Sequence, residues 1–444
     1  MVFVLLLGAQ PQKLLERLAE FLDSFASCFG RRGRSDAARR YVKGLFSDAK
    51  RKNIECMWGR ITDPGDYQAL QHFITHSTWS SGTVWGALRR KLPDRAGVLI
   101  VDDTGIPKRG RHSVGVARQY SGTLGKVGNC QVVVSCVLRS KHSTWPLAME
   151  LYLPEEWAED RTRRDSAAIP QDTPFRRKWE IALGQIDEAC AADLDVQCVV
   201  ADAGYGDCGG FRDGLSERGL CYAVAVQSTV KAFDRVPRFI VPKQGRMGRP
   251  PTKSKLARNS PKPKTVRAIA KATPKAEWQK VVWRKGSKGN LQAEFLALRV
   301  TPSQAWYRGE QNDECWLLCE RPTGQKIATK FYLSNLPKST SLKQLVDLAH
   351  TRWAIEQNYE QLKDELALDH FEGRSYSGFH HHLVLTALAF TFLELERRRS
   401  RAKKLPTLNK LRWVVTEIVT AQLFASEERL SRMIADFIRD PPRF

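Results

Sequence analysis

The sequence contains no apolar run long enough to cross a bilayer. The longest, Leu383 to Leu393, is interrupted by two threonines and falls well short of the roughly 20 residues a membrane helix needs. The apolar start, Val2 to Leu7, has no basic flank before it and is too short for an anchor or a secretory leader. Cys-x-x-Cys pairs are also missing. Cys315 and Cys319 stand four apart, with no second pair or nearby histidine to complete a zinc site. The ten cysteines are therefore read as small buried hydrophobes in a reducing cytoplasm. The most local absence is of acids: residues 243 to 275 hold eleven lysines and arginines and no aspartate or glutamate. Together these absences exclude a membrane protein, a disulfide scaffold and a zinc module.

What is present is a large, basic chain. Its 444 residues suffice for two or three domains, and 42% hydrophobic and 27% charged residues are ordinary for a soluble protein. The net charge of +23 is not ordinary. It predicts attraction to a polyanion, of which DNA or RNA is the usual one.

Residues 10 to 90 read as helical and basic. Leu14, Leu15, Leu18, Phe21 and Leu22 recur at helix spacing, and Arg31-Arg32-Gly33-Arg34 and Arg39-Arg40 cluster positive charge for DNA contact. Strands are expected at Val98 to Asp102, Gln131 to Leu138 and Leu147 to Leu153. A helix near Phe175 to Leu194, a strand at Gln197 to Ala201, a helix near Gly210 to Arg218 and a strand at Tyr222 to Val226 complete the series. This β-β-β-α-β-α-β order is that of a ribonuclease-H-like α/β core. Its final helix is delayed to about Leu342 to Leu366 by an insertion.

The insertion opens with the acid-free basic stretch, which is expected to bury no core and to be mobile until it meets phosphate. Within it, Gly245 to Pro251 is similar to a minor-groove AT-hook, making Arg246 and Arg249 candidate phosphate contacts; a plain basic linker is the simpler reading. Strands follow at Lys280 to Arg284, Leu291 to Val300, Cys315 to Glu320 and Ala328 to Leu333, with a turn over Lys285 to Asn290. The expected divisions are a helical basic region (1–92), a first core part (93–230), a basic linker with β-rich insertion (231–338), a second core part (339–400) and a helical C-terminal region (401–444).

Three carboxylates stand out. Asp102 and Asp202 each end an apolar strand, and Glu356 lies on the delayed helix. Two strand-end aspartates and one helical glutamate suit a site holding two divalent metals for phosphodiester chemistry. On a helix, Arg352, Glu356, Tyr359 and Lys363 fall within roughly 60° of one another. Leu345, Leu348 and Leu366 project on the same side, so charged groups interrupt a core-facing stripe. A surface salt bridge between Arg352 and Glu356 is the plain alternative, and burial argues against it. Strand alternation sends Asp102 and Asp103 to opposite faces, and either can be the first acid. The glycines of Asp202-Ala203-Gly204-Tyr205-Gly206 allow close backbone approach to a ligand. His380-His381-His382 lacks the surrounding acids or cysteines of a metal site, and Trp353 is either core or a stacking platform.

The chain resembles the insertion-sequence DDE transposases that carry a Tyr-x2-Arg-x3-Glu-x6-Lys signature. Arg352, Glu356 and Lys363 match that spacing, Ala349 stands where the tyrosine would be, and Val101 to Gly110 and Ala201 to Tyr205 are similar to the two aspartate blocks. The resemblance covers about residues 35 to 395. It implies catalytic, metal-binding Asp102, Asp202 and Glu356, with Asp103 as rival to Asp102, and two Mg²⁺ or Mn²⁺ ions. It also implies phosphate contacts by Lys108, Arg109, Arg352 and Lys363. The implied activity is cleavage at the inverted-repeat ends of a mobile element and strand transfer into target DNA. Double-stranded DNA is the implied partner, with a homodimer in a synaptic complex and a location in the bacterial cytoplasm at the nucleoid. A catalytically inactive DNA-binding descendant, or a nuclease on the same core without strand transfer, are the rivals.

Overall fold

The computed structural model describes residues 11–61, 63, 65–240, 254–286, 289–304, 312–399 and 405–425. The α/β class holds. The strands are β1 (Ala96–Pro107), β2 (Ala117–Ser121), β3 (Lys126–Arg139), β4 (Thr144–Tyr152), β5 (Asp195–Ala201), β6 (Tyr222–Val226) and β7 (Lys231–Phe233). They continue with β8 (Phe239–Ile240), β9 (Lys255–Leu256), β10 (Lys264–Thr265), β11 (Gln279–Gly286), β12 (Gly289–Pro302), β13 (Cys315–Arg321) and β14 (Lys330–Ser334). Among the described residues, all but β8 and β9 join one twelve-stranded sheet of order β10-β7-β12-β13-β14-β6-β5-β1-β3-β2, with β11 on β12 and β4 on β3. β1 runs antiparallel to β3 and parallel to β5, which is parallel to β6. Apart from β8 and β9, which pair with each other, the described strands of the insertion do not form a separate sheet. They extend the core sheet through the antiparallel pair β14 and β6.

β1 reads as a continuous apolar run because both its faces are covered. Leu99 and Val101 pack with Ile181, Ala182 and Ile186 of the helix Lys178–Cys190. Val98 and Ile100 pack on the other face with Ile355 and Tyr359 of the helix Trp353–Asp364. This alternation fixes the directions of the acids that follow.

The N-terminal helices wrap the helix Tyr376–Arg399, which is apolar on all sides from Leu383 to Leu393 and buried throughout that stretch. A helix apolar all round belongs in a core rather than on a surface, and Leu14, Leu18, Phe25, Val42 and Phe46 supply its partners.

Several expectations need correction. The delayed helix is two helices, Leu342–Thr351 and Trp353–Asp364, with Arg352 at the junction. There the backbone tightens, the Ile355 N–H donating to the Arg352 carbonyl at 3.0 Å. The described part of the basic stretch does bury a core: the helix Val266–Ala272 seats Val266, Ile269 and Ala270 in the cluster under the sheet. Its lysines and arginines leave one face apolar, which total charge does not reveal. Arg246 and Arg249 lie outside the described residues. The expected turn at Lys285 to Asn290 is shorter, since Lys285 and Asn290 are already paired across the hairpin. The cysteines are free, but Cys56 and Cys190 are exposed and Cys28, Cys208 and Cys221 half-buried, so not all are core hydrophobes. No described helix is long and apolar enough to cross a membrane.

Candidate active site

β1 carries Asp102 toward the helix Trp353–Asp364 and Asp103 toward the helix Lys178–Cys190, as the packing of their neighbours dictates. The two acids accordingly have different cations. The Arg352 guanidinium donates to Asp102 Oδ2 at 2.6 Å, while Lys178 Nζ donates to Asp103 Oδ2 at 3.0 Å. Sequence reasoning missed Lys178. It sits in the first turn of a helix some seventy residues downstream, and no local pattern links it to β1.

Arg352 also bonds Glu356 through its other terminal nitrogen. It is thus a clamp between the first acid and the helical one. Its place at the helix junction lets it reach back to the strand and forward one turn. The helical projection placed Glu356 on a core-facing stripe, and the structure does not. Ile355, Asn358, Tyr359 and Leu362 form that stripe, and Glu356 stands at its edge with half its side chain exposed. The break at Arg352 is the reason: a projection that assumes one continuous helix rotates the second half onto the wrong face.

Asp202 ends β5 and caps the short helix Ala203–Gly206, accepting from the Gly204 and Tyr205 N–H groups at 2.9 and 3.3 Å. Gly206 is needed for packing rather than for a ligand. A Cβ there would stand 1.8 Å from the Ala225 carbonyl oxygen on β6.

Burial pushes the Asp102 carboxyl up to about 7, aided by the negative charge of Asp202 and opposed by Arg352. Asp202 is raised as well, by burial and then by Asp103, with Arg352 and the two N–H groups pulling it back. The three aspartates therefore form one repelling cluster, which Arg352 and Lys178 only partly offset. Among the described residues no three His, Cys, Asp or Glu side chains are grouped closely enough to hold a metal ion. The donor set itself fits a divalent cation. It consists of hard carboxylate oxygens with surplus negative charge, of the kind Mg²⁺ prefers, and Arg352 stands between two of its members.

Asp202, Arg352 and Glu356 line a cleft of about 960 Å³ whose far wall is the β11–β12 hairpin. Trp353 is exposed there, with the Arg284 guanidinium over its ring at 4.3 Å, so it is not a core residue. Trp283 stacks on His350 at 4.1 Å beside it. A second cleft of about 780 Å³, lined by Arg139, Lys141 and Lys343, shares this Trp283–Arg284–Trp353 wall.

The remaining candidates are placed less simply. Lys363 donates to the Gly105 carbonyl at 3.0 Å and to Thr123 Oγ1 at 2.8 Å, so it braces the end of β1. Lys108 donates to the Phe371 carbonyl at 2.6 Å. Arg109 is exposed. In the N-terminal region, Arg39 is paired with Asp23 and Asp36, and Arg40 with Asp63. The histidine triplet is structural. His381 faces the Ile74 and Trp79 carbonyls at 2.8 and 2.9 Å, and His382 meets the Tyr41 hydroxyl at 2.9 Å.

The family described as DDE superfamily endonuclease matches residues 24–290, a span that includes Asp102 and Asp202 and ends before Glu356. The chain is also similar to a protein of Microchaete diplosiphon described as "Probable transposase for insertion sequence element IS701". The two are 32% identical over 201 residues, 44% of this chain and 50% of that protein. The alignment thus spans about half the length of the curated relative.

Proposed function

The chain belongs to the DDE superfamily endonucleases, in keeping with the resemblance to insertion-sequence DDE transposases read from its motifs, and from that premise we propose that it is the transposase of an insertion sequence. It cuts DNA at the inverted-repeat ends of the element and joins the freed end to target DNA. The observation that carries this reading is the Arg352 clamp: one guanidinium holds Asp102 and Glu356, residues from distant parts of the chain, at a cleft that Asp202 also lines. The buried, mutually repelling Asp102 and Asp202, with Glu356 tied to Asp102 through Arg352, suit a cation site better than a stabilising core.

Asp102, Asp202 and Glu356 would hold the Mg²⁺ or Mn²⁺ ions, which supply charge stabilisation to the attacking and leaving oxygens of a phosphodiester. Asp102 rather than Asp103 is assigned because it faces the Glu356 helix. Asp103, with Lys178, sets the charge behind it. Arg352 favours the ionised form of Asp102 against burial and offers its guanidinium to phosphate. The exposed Trp353–Arg284 stack is a platform for a nucleobase. Lys363 holds the end of β1 in place, and Arg109 contributes positive charge to the DNA path. Arg246 and Arg249 add phosphate contacts from the basic stretch. The proposed core is ribonuclease-H-like, supported by β3 antiparallel to β1 and by β5 and β6 parallel to it. The protein is further proposed to act as a homodimer pairing two DNA ends at the bacterial nucleoid.

The test is nicking of a supercoiled plasmid in Mg²⁺ by wild type, Asp202→Ala and Glu356→Gln. Wild type should nick and both variants should not, while folding as wild type by circular dichroism. Equal nicking by all three would refute the assignment. Nicking without any joined product would favour a plain nuclease, the reading closest to the family's description.

A further inference from the structure

The hairpin of β2 and β3 carries large apolar side chains into solvent. Tyr120 is 64% exposed, Val127 54% and Leu124 37%. Tyr120 and Val127 are opposite one another across the ladder and share a face. Leu124 lies over the other face, close enough that a Cβ on residue 128 would stand 2.6 Å from its Cδ1. The tip of the ribbon therefore exposes apolar side chains on both faces.

This shape restricts the partner. A flat protein surface would use one face, whereas apolar groups on both faces suit insertion between two surfaces. The charge around the hairpin narrows it further. Arg109, Arg111, Arg118 and Lys126 are all exposed, and none forms an ion pair with a described residue. Arg118 and Lys126 also stand on the strand edge, where charge discourages pairing with another strand.

The hairpin is tied to the acids. Thr123 donates from Oγ1 to the Gly105 carbonyl at 2.9 Å, and Lys363, on the Glu356 helix, donates to both. A Cβ on Gly105 would stand 2.2 Å from Ser121 Oγ, so the contact is close. Gly105 lies three residues past Asp102 on the same strand, roughly 10 Å along it. That is about three base steps of one DNA strand.

We propose that this hairpin is a wedge that enters duplex DNA beside the cleft of the acids and keeps a few base pairs open. The proposal rests on the DNA-cleaving reading above and adds to it a place and a means of distorting the substrate. Apolar side chains that part base steps are a recurrent device of DNA-bending proteins. Here the wedge is braced to the site by Lys363 instead of being carried on a separate domain.

The experiment uses the full chain in EDTA with two 30-bp probes, one fully paired and one with a central three-nucleotide mismatch bubble. Wild type should bind the bubble about tenfold more tightly, because the unstacking cost is already met. Tyr120→Ser with Leu124→Ser should bring the two affinities within about twofold of each other while leaving binding to the paired probe unchanged. A preference retained in the double variant would overturn the proposal. So would the loss, in the double variant alone, of a DNA-free dimer that wild type forms in sedimentation, which would assign the patch to a second copy. Absence of wild-type binding to either probe would overturn the wedge, and would take the functional reading with it only if wild type also fails to nick plasmid. Plasmid nicking by wild type separates the two cases.

Discussion

Removing the Arg352 guanidinium should destabilise the protein far more than breaking a surface salt bridge does. Its two contacts are unequal. The Asp102 side chain is 12% exposed and Arg352 28%, so Arg352→Ala strands a buried carboxylate, a change that costs about 3–5 kcal/mol. Glu356 is half exposed, and that contact contributes about 0.5 kcal/mol. Protonation caps that cost: with Asp102 titrating at about 7, the stranded carboxyl takes up a proton for about 1.4 kcal/mol at pH 8, so with the Glu356 contact the expected loss is about 2 kcal/mol. The loss should shrink at pH 6. Asp102 titrates at about 7 when folded against 3.8 as a free side chain, so the native state binds more protons across that window. Stability therefore falls as pH rises through it, and a protonated Asp102 needs no cation. Asp102→Asn alone removes the repulsion with Asp202 together with the ion pair, and should change stability by only about 1 kcal/mol. The double variant should then recover most of the Asp102 part of the Arg352→Ala loss, a coupling of about 1 kcal/mol. Urea unfolding followed by tryptophan fluorescence, in EDTA at both pH values, measures all four proteins. A loss below about 1 kcal/mol at pH 8, or strict additivity in the cycle, would refute the clamp.

Two further predictions test the surroundings. Gly206→Ala drives a Cβ onto the Ala225 carbonyl and should cost about 3 kcal/mol. Because that helix positions Asp202, nicking should fall even at temperatures where the variant stays folded. Lys52 is buried, and burial followed by the nearby Arg412 charge pulls its ammonium down to about 7. The unfolded chain, titrating near 10.5, then binds more protons between those values, so stability should rise with pH across that window. Between pH 7 and 9.5 the gain should be about 3 kcal/mol. Lys52→Met should flatten the rise in a denaturant series; an unchanged slope would show that the amine stays charged in the fold.

Much of the sheet was legible because its strands are apolar runs ended by turns. Gln197 to Ala201 and Tyr222 to Val226 match β5 and β6 closely. β2 was missed: Ala117–Ser121 alternates half-buried and exposed positions with an arginine, a glutamine and a tyrosine, and reads as loop. The core-forming helix Val266–Ala272 was hidden by the charge around it. Net charge sums over all faces of a segment, whereas burial depends on one. Asp202 was legible as a strand end, whereas Asp102 and Asp103 lie in mid-strand, since β1 runs on through Gly105 to Pro107 paired with β3; the cations of the acids were not legible. Lys178 and Arg352 reach β1 from 75 and 250 residues away, and sequence spacing carries no information on such contacts.

The choice between Asp102 and Asp103 shows where a sequence argument stops. Alternation alone says that the two point to opposite faces; it does not say which face holds the third acid. The deciding facts are the packing partners of the preceding residues. Ile100 meets the Glu356 helix, so Asp102, two residues on, faces it as well. Val101 meets the Lys178 helix, so Asp103 faces that one. The same reasoning explains why exchanging the roles by mutation should fail. Asp102→Asn leaves an acid at 103 that is bonded to Lys178 and cannot turn to the other face without a one-residue slip of β1. That slip would move Leu99 and Val101 out of one apolar layer, and Val98 and Ile100 out of the other.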